Sequence, residues 1–427
     1  MLHEGQELEL TIEKPAAGGR MLARHQGQVV LVRGAIPGER VRAWIEKVEK
    51  RLAFAVTREA VAPSPDRRAA EADPLCGGNL YAHIRYERQL QLKAEVAAEA
   101  LRRIGGVEWS QPIAIAGSPE RGYRMRSRCH LSAGRAGFFR EGTHQLCDPA
   151  STGQLLPESA RVLQLAADAL ARTRLDVSSI ELAENIAADQ RAMHVSLALD
   201  ARIDAGALDR VMQALPLRGI TAENDAGEWA EAGDPLVADS LTVLAAGRAG
   251  SGELWRHPSS FFQGNRFLLP GLVDAVLDLA ACDGEVLDLY AGVGVFGTAL
   301  AAAGHLEITA VEGDRTAGAD LRRNAAAFDP RIAVHLSTVE AFLRGRRRVP
   351  ACVIVDPPRT GLSKDAVAAV AALGPPRIVY VSCDPPTFAR DARRCLDAGY
   401  RLASLRGFDL FPNTPHVELV AELALGG

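Results

Sequence analysis

A glycine-rich loop in the C-terminal half of the chain has the spacing of a nucleotide-cofactor site. Gly292, Gly294 and Gly297 follow one apolar run, and Glu312 follows the next. Glycines let a backbone approach a ligand closely, and the two oxygens of a carboxylate can accept hydrogen bonds from both hydroxyls of a ribose. The same spacing fits a dinucleotide-binding fingerprint, so a nicotinamide oxidoreductase is one interpretation of this loop.

Three further motifs carry groups suited to covalent and acid–base chemistry. They are Asp356-Pro-Pro-Arg-Thr-Gly-Leu, Ser382-Cys383-Asp384-Pro385-Pro386-Thr387 and His416-Val417-Glu418, and Phe261-Phe-Gln-Gly-Asn265 lies upstream of them. A cysteine can add to an electrophilic carbon, and a glutamate can remove a proton. The four motifs, in this order, resemble those of the RNA 5-methyluridine methyltransferase family, and the match is close over residues 255–427.

The glycine-rich loop is also similar to a methyltransferase motif. Asp288 at the strand end and the aromatic Tyr290 resemble the first motif of class I methyltransferases, in which the loop surrounds a methionine and a ribose. The resemblance implies S-adenosylmethionine as the cofactor and no metal ion. The residues that it implies for cofactor binding are Gln263, Tyr290, Gly292, Gly294, Glu312 and Asp356.

The resemblance also implies a covalent mechanism. Carbon 5 of uracil is too weakly nucleophilic to attack a sulfonium methyl group, so a thiolate first adds to carbon 6 and generates an enolate. Cys383 is the candidate nucleophile, and we expect a polar cleft to lower its pKa. Glu418 is the candidate base that removes the hydrogen on carbon 5 after methyl transfer. His416 would lie on the same side of an extended segment, and its role stays open.

One cysteine motif departs from the family pattern. Many relatives with a TRAM domain bind an iron–sulfur cluster through Cys-x5-Cys-Gly-Gly-Cys and a later cysteine. Here only Cys76 of the clustered positions remains, and Cys147 does not clearly match the fourth. Since such clusters normally need four thiolates, we predict that none binds. The seven scattered cysteines indicate reduced thiols rather than a disulfide framework.

The elements that position the chemical motifs alternate between strands and helices after about residue 254. Apolar runs at residues 285–289, 308–311, 352–355 and 378–381 indicate a parallel sheet that is covered on both faces. Ligands bind at the carboxyl ends of such strands, where the motifs lie. We therefore predict a Rossmann-like class I methyltransferase domain over residues 251–427.

Three segments precede this domain in an α/β chain. Residues 1–60 contain short alternating strands, typical of an OB-like β-barrel, and residues 18–24 and 37–41 resemble the TRAM domain. Residues 61–110 are interpreted as a linker and a helix. Residues 111–250 are interpreted as a central α/β insertion that binds RNA.

The net charge of −4 gives no global attraction to nucleic acid, so RNA binding must depend on local patches. Six arginines and no acid lie between Arg121 and Arg140, and Arg124, Arg126 and Arg128 would share one face of a strand. This segment is a candidate phosphate-binding ribbon. A second cluster, Arg344 to Arg348, is interpreted as a solvated turn.

The leading functional hypothesis is uridine-5 methylation of structured RNA by a monomeric enzyme. The TRAM resemblance favours ribosomal RNA, and transfer RNA stays open. A noncatalytic RNA-binding or chaperone protein on a methyltransferase fold is the alternative, against which the intact Cys383 and Glu418 argue. No long apolar stretch or signal-peptide pattern is present, so we expect a cytoplasmic protein with no membrane partner.

Overall fold

The computed structural model describes residues 2–173, 175–198, 203 and 205–426. The outer limits of the predicted end domains, residues 1 and 427, lie outside the described residues, as do residues 174, 199–202 and 204 of the central insertion. The described residues form a closed barrel, a seven-stranded sheet, an eight-stranded sheet and a two-stranded sheet. No helix in these ranges is long and apolar enough to cross a membrane.

The N-terminal unit is a closed five-stranded barrel. Its strands are β1 (Glu7–Pro15), β2 (Met21–His25), β3 (Gln28–Arg33), β4 (Arg40–Val48) and β5 (Leu52–Ala62). They close in the order β1-β2-β3-β5-β4, and every second side chain of β4 is buried over most of its length. Period-two burial fills a small barrel with side chains such as Ile12 and Ile45. The predicted barrel is confirmed.

A linker and a long helix follow the barrel. Helix α1 (Tyr86–Ala100) continues into a π-helical turn, Leu101–Gly105, which ends at Gly106 in the left-handed region with a φ of 61°. Tyr81 and Ile84 of the linker and Leu92 of α1 belong to the core of the barrel. Helix α1 therefore packs on the barrel, because side chains from the helix and from the linker belong to the same apolar core.

The central region contains a seven-stranded sheet with helices on one face. Its elements are β7 (Arg126–Ser132), β8 (Arg135–Phe139), β9 (Leu146–Cys147), α2 (Pro157–Ala171), β10 (Val177–Glu184), β11 (Arg191–Leu197), α3 (Ala205–Gln213), β12 (Gly219–Glu223) and β13 (Trp229–Gly233), and they follow the short strand β6 (Ile115–Ala116). The sheet order is β13-β12-β11-β10-β7-β8-β9. Leu163 of α2 and Leu208 of α3 share one core with Ile180 and Val195 of the sheet. The opposite face carries the arginines of β7.

A short hairpin and a helix lead into the C-terminal sheet. The hairpin consists of β14 (Val237–Ser240), α4 (Leu241–Leu244) and β15 (Glu253–Arg256). The elements of the last domain are α5 (Leu269–Ala280), β16 (Val286–Leu289), α6 (Val295–Ala302), β17 (Ile308–Glu312), α7 (Arg315–Ala326), β18 (Ile332–Leu336), α8 (Val339–Leu343), β19 (Cys352–Val355), α9 (Lys364–Leu373), β20 (Arg377–Ser382), α10 (Pro385–Asp397), β21 (Tyr400–Phe408) and β22 (Glu418–Leu425).

The order of strands in this sheet creates a crevice at one edge. The sheet runs β18-β17-β16-β19-β20-β22-β21-β6, and the first five strands are parallel. The chain proceeds from β16 toward β17 on one side and returns to β19 on the other, so the strand order reverses between β16 and β19. Ligands bind at such a switch point. The predicted Rossmann-like fold is confirmed.

Beyond the four strands that were predicted to be parallel, the sheet contains antiparallel pairs at its C-terminal end. Strand β22 is antiparallel to both β20 and β21, because β21 and β22 are joined directly and not through a crossover helix. The antiparallel direction of β22 brings Glu418, at the start of this strand, to the same edge of the sheet as the carboxyl end of β20.

Candidate active site

The glycine-rich loop lies at the switch point between β16 and β19. Gly292 and Gly294 have φ angles of 56° and 91°, which are favourable for glycine. A Cβ atom on Gly294 would lie 2.6 Å from Cδ1 of Leu321, and one on Gly297 would lie 3.1 Å from Oδ2 of Asp288. Glycine at position 294 is therefore required by the turn, and glycine at 297 allows α6 to approach β16 closely.

Asp288 ties the loop to the strand before it. Its Oδ2 atom accepts a hydrogen bond of 2.9 Å from the Gly297 N–H group, and burial raises the pKa of Asp288 to about 7. A carboxylate near the N-terminus of α6 also interacts favourably with the helix dipole. Asp288 thus fixes the loop to β16 through its hydrogen bond to Gly297.

Glu312 is held against the loop by two backbone groups. Its Oε2 atom accepts a hydrogen bond from the Gly292 N–H group (2.7 Å), and its Oε1 atom accepts one from the Asp314 N–H group (2.6 Å). Each carboxylate oxygen can accept more than one hydrogen bond. The carboxylate is therefore fixed in orientation and keeps capacity for a ribose hydroxyl on each oxygen.

The other cofactor candidates divide between two places. Gln263 is buried and hydrogen-bonds to the carboxylate of Asp356, which follows β19 on the other side of the switch point. Burial raises the pKa of Asp356, and the hydrogen bond from Gln263 opposes the rise. Tyr290, at a φ of 60°, lines a separate cavity of about 450 Å³ with Thr360 and Arg390. The structure brings Gln263 and Asp356 together and places the Tyr290 side chain elsewhere.

The candidate nucleophile and the candidate base face one another across two strands. Cys383 follows Ser382, the last residue of β20, and Ser382 pairs with Leu419, the neighbour of Glu418. Glu418 is 4% exposed, and burial, followed by the charge of Asp356, raises its pKa well above the ordinary value. The structure therefore gathers the predicted residues Cys383, Glu418 and Asp356 into one cluster.

The expectation that a polar cleft lowers the pKa of the Cys383 thiol was wrong. Burial, and then the charge of Glu418, raise the pKa of the Cys383 thiol to about 11, and Asp356 and Asp384 add to the rise. Partial burial removes water that would solvate a thiolate, and nearby carboxylates repel it. The cleft is polar, as expected, but three of the polar groups near the sulfur are carboxyl groups, which oppose formation of a thiolate.

Arg359 is a candidate that the sequence interpretation left without a role. It is exposed and acts against the carboxylates by lowering the pKa values of both Cys383 and Glu418. Its place in the Asp356-Pro-Pro-Arg359 motif, directly after a strand end, was the available signal. Arg359 supplies positive charge beside the candidate nucleophile.

His416 lies between this cluster and the arginine ribbon. Burial, and then the charge of Arg359, lower the pKa of His416 to about 4. Its ring meets that of Phe411 edge to face at a centroid distance of 6.3 Å. The imidazole is therefore neutral at physiological pH and can offer one donor and one acceptor.

The arginine ribbon lines a cleft next to the candidate catalytic residues. Arg124, Arg126, Arg128 and His130 alternate with buried residues and border a cavity of about 450 Å³. The other residues that border it include Phe138, Phe139, Phe261, Arg359, Phe411, Thr414 and His416. Basic and aromatic groups together suit the phosphates and the bases of a single strand. The three arginines share one face, as the strand pattern predicted.

The ribbon is less free of acids than its sequence indicates. Glu181 of β10 accepts a hydrogen bond from Arg126 (2.6 Å) and lies 3.7 Å from Arg128. Arg124 donates to Oε1 of Gln154 (2.7 Å). An acid on the neighbouring strand thus neutralises part of the ribbon. In the other basic cluster, Arg346 forms an ion pair with Glu285.

Two of the cysteines expected to be reduced form a disulfide. Cys76 and Cys147 are bonded, with 6.0 Å between their Cα atoms, and the other five cysteines are free. Because the two cysteines are 71 residues apart, no local sequence pattern indicated that they pair. They come together because the linker folds beside β8 and β9. The prediction of free thiols is wrong for this pair. Within the described ranges, no group of three or more His, Cys, Asp or Glu residues could hold a metal ion.

Two family models match parts of this chain. The tRNA (uracil-5-)-methyltransferase model matches residues 348–424, and the TRAM domain model matches residues 2–57. The first range contains the segments of Asp356, Cys383 and Glu418. The second covers most of the barrel.

Relatives match over nearly the whole length. An uncharacterised RNA methyltransferase of Streptomyces coelicolor is 34% identical over 98% of this chain and 93% of its own length. The 23S rRNA (uracil(1939)-C(5))-methyltransferase of Alkalilimnicola ehrlichii is 32% identical over 97% of this chain and 95% of its own. The solved structure of Pyrococcus abyssi tRNA (uracil-54, C5)-methyltransferase with S-adenosyl-L-homocysteine has a TM-score of 0.76 and 24% identity, and the match covers 97% of this chain and 99% of that one.

Proposed function

The chain belongs to the RNA (uracil-5-)-methyltransferase family, and from this we propose that it methylates carbon 5 of a uridine in 23S ribosomal RNA through an adduct with Cys383. The observation that carries the proposal is the meeting of Cys383, Glu418 and Asp356 beside an arginine-lined cleft. The two relatives described above are named as methyltransferases, which favours this reaction over the oxidoreductase and the noncatalytic alternatives.

The first step joins the enzyme to the base. The thiol proton of Cys383 leaves to water, Sγ bonds to carbon 6, and the electron pair of the 5,6 double bond moves toward carbon 5 and the oxygen on carbon 4. Arg359 favours the thiolate because it opposes the carboxylates that raise the pKa of Cys383. It can favour the enolate for the same electrostatic reason.

The cofactor residues fit S-adenosylmethionine, which when bound supplies the methyl group for carbon 5. Glu312, fixed by the Gly292 N–H group, would hold the ribose hydroxyls. Gln263 and Asp356 would contact the rest of the cofactor next to the base. Tyr290 stays a candidate on the strength of the family resemblance.

The last step releases the product. Glu418 takes the proton from carbon 5, the electron pair restores the 5,6 double bond, and the bond between carbon 6 and Sγ breaks. A carboxylate with a raised pKa binds a proton more strongly once it is ionised, which suits Glu418 to this role. Cys383 leaves as the thiolate and regains a proton from water, and Glu418 releases its proton to water.

The choice of ribosomal RNA depends on the relatives. Those with 31% and 32% identity over at least 94% of their length are named 23S rRNA (uracil(1939)-C(5))-methyltransferases. The tRNA enzyme of known structure is 24% identical, and this similarity supports the fold alone. The TRAM domain and the arginine cleft are compatible with either RNA.

A direct assay tests both the reaction and the RNA. The purified protein is incubated with labelled S-adenosylmethionine and with transcripts of a 23S rRNA fragment or a tRNA, and nuclease digestion with mass spectrometry locates the methyl group. We expect 5-methyluridine at one position of the ribosomal transcript. Methylation of the tRNA alone would overturn the choice of RNA, and no methylation at carbon 5 of either would overturn the reaction.

A further inference from the structure

The turn between β21 and β22 contributes residues to the arginine-lined cleft. Phe411, Thr414 and His416 of this turn border the cleft together with Arg126 and Arg128 of β7. The hydroxyl of Thr414 donates to the Phe411 carbonyl (2.6 Å) and accepts from the His416 N–H group (3.2 Å). Asn413, at the centre, has a φ of 64°, in the left-handed region that asparagine adopts more readily than most non-glycine residues.

A buried amide on α1 holds the centre of the turn. Gln89 is fully buried, and its Oε1 atom accepts a hydrogen bond from the Asn413 N–H group (2.9 Å). Its Nε2 atom donates to Oδ1 of Asn413 (2.9 Å) and to the carbonyls of Tyr81 (3.2 Å) and Ile84 (3.0 Å). Gln89 and Asn413 thus form a two-point amide pair across 324 residues of sequence.

A buried ion pair holds the start of the same turn. Lys93, one helical turn after Gln89, forms an ion pair with Asp409, and neither side chain is exposed. The Lys93 ammonium also donates to the Phe411 carbonyl (3.3 Å). A buried ion pair often adds less stability than apolar residues of the same volume. Its position under Phe411 is therefore explained better by a geometric role than by stability.

The barrel and the linker touch the turn as well. The Tyr81 N–H group donates to the Asn413 carbonyl (2.8 Å), and Arg68 donates to Oδ1 of Asn413 (2.9 Å). A Cβ atom on Gly19, between β1 and β2, would lie 2.9 Å from Cγ of Pro415. The N-terminal half of the chain is in this way attached to the segment that leads directly into Glu418.

We infer that Gln89 and Lys93 are positioning residues for methyl transfer: they hold the turn 409–416, and with it His416 and Phe411, in the place where the target uracil meets Cys383. The inference rests on the proposed function. Neither residue borders the cleft, so both act through the turn. His416, which borders the cleft, would then offer a hydrogen bond to the base from a position that the Gln89–Asn413 pair holds.

Substitution of Gln89 separates positioning from binding. Gln89→Leu removes all four hydrogen bonds of the amide and keeps the approximate volume. Gln91→Leu is the matched control, because Gln91 lies on the exposed side of the same helix. We expect Gln89→Leu to lower the single-turnover rate of methyl transfer on the order of tenfold to a hundredfold, as misplacement of reacting groups does. Affinities for the RNA and for S-adenosylhomocysteine should stay within about twofold of those of Gln91→Leu.

A second variant tests whether a slower reaction in Gln89→Leu results from misfolding. Asn413→Gly keeps the left-handed backbone and the N–H group that donates to Gln89, and removes only the side-chain acceptor. It should slow methyl transfer in the same direction with an unchanged melting temperature. Equal rates in Gln89→Leu, Asn413→Gly and Gln91→Leu would overturn the inference, as would a parallel loss of rate and of both affinities. A wild-type protein that methylates no uridine would instead overturn the proposed function.

Discussion

After burial, the carboxylate of Glu418 is the largest cause of the raised pKa of the Cys383 thiol, which reaches about 11. Burial and the charge of the candidate base together favour the neutral form of the candidate nucleophile. In the proposed reaction, the same proximity would let Glu418 act on carbon 5 while Cys383 is bonded to carbon 6. The relationship between these two residues leads to the first two predictions.

Substitutions of Cys383 and Glu418 should stop the reaction at different points. Cys383→Ala should form no covalent adduct, because no enolate can be generated. Glu418→Gln should permit addition and methyl transfer and then retain the RNA on sulfur, because a neutral amide is a very poor base. Denaturing gel electrophoresis with labelled RNA would show this adduct as a slowly migrating band. Normal turnover by Glu418→Gln, or an adduct with Cys383→Ala, would refute the assigned roles.

Alkylation of Cys383 should report its raised pKa. The thiolate is the reactive form, so the rate of alkylation by iodoacetamide should keep rising with pH past the ordinary thiol value and level off only near 11. Arg359→Gln should slow alkylation at a given pH, since it removes the charge that lowers the pKa. Peptide mass spectrometry separates Cys383 from the other cysteines, and Arg347→Gln in the distant basic turn is a control. A plateau near pH 8 would contradict the prediction.

Removal of the ribbon charges should weaken RNA binding selectively. Replacement of Arg124, Arg126 and Arg128 by Gln should lower RNA affinity and reduce the slope of log affinity against log salt by about 0.7 for each lost contact to a single strand. S-adenosylhomocysteine affinity should not change. Replacement of Arg344 and Arg347, which lie in the other basic cluster, is the control. Unchanged RNA affinity in the triple variant would remove the ribbon from the RNA site.

Glu312 should matter for the cofactor and not for RNA. Glu312→Ala should weaken S-adenosylhomocysteine binding by about 10-fold to 100-fold, which corresponds to the loss of about 1.5–3 kcal/mol for a hydrogen bond to a charged group. Calorimetric titration measures the change. Glu307→Ala, at the opposite end of β17, is the matched control. Equal affinities in the two variants would place the ribose elsewhere.

The cysteines should bind no iron–sulfur cluster. Anaerobically purified protein should contain no stoichiometric iron and no broad visible absorption from thiolate-to-iron charge transfer, because Cys76 is the one cysteine at the clustered family positions and it is bonded to Cys147. With the disulfide intact, five thiols should react with a maleimide after denaturation, and seven after reduction. Stoichiometric iron would refute the first expectation. Seven reactive thiols before reduction would refute the second.

The local structures and their order follow from patterns in the amino-acid sequence. Alternating residues specified the barrel strands, apolar runs between helices specified the parallel strands, and glycines specified the turn at Gly294, because each pattern acts over a few neighbouring residues. Topology then required motifs at the carboxyl ends of parallel strands to share one edge. For this reason, the proximity of Asp356 to Cys383 could be predicted from spacing alone.

The environment of each chemical group, in contrast, depends on how distant segments pack together. Four features depend on residues from distant segments. They are the direction of the pKa shift of Cys383, the ion pair of Arg126 with Glu181, the disulfide of Cys76 and the hydrogen bonds between Gln89 and Asn413. Burial and charge act through space, and neither depends on separation along the chain. An acid-free stretch of sequence can therefore meet an acid on the next strand, and a cysteine in a polar motif can be less acidic than a free one.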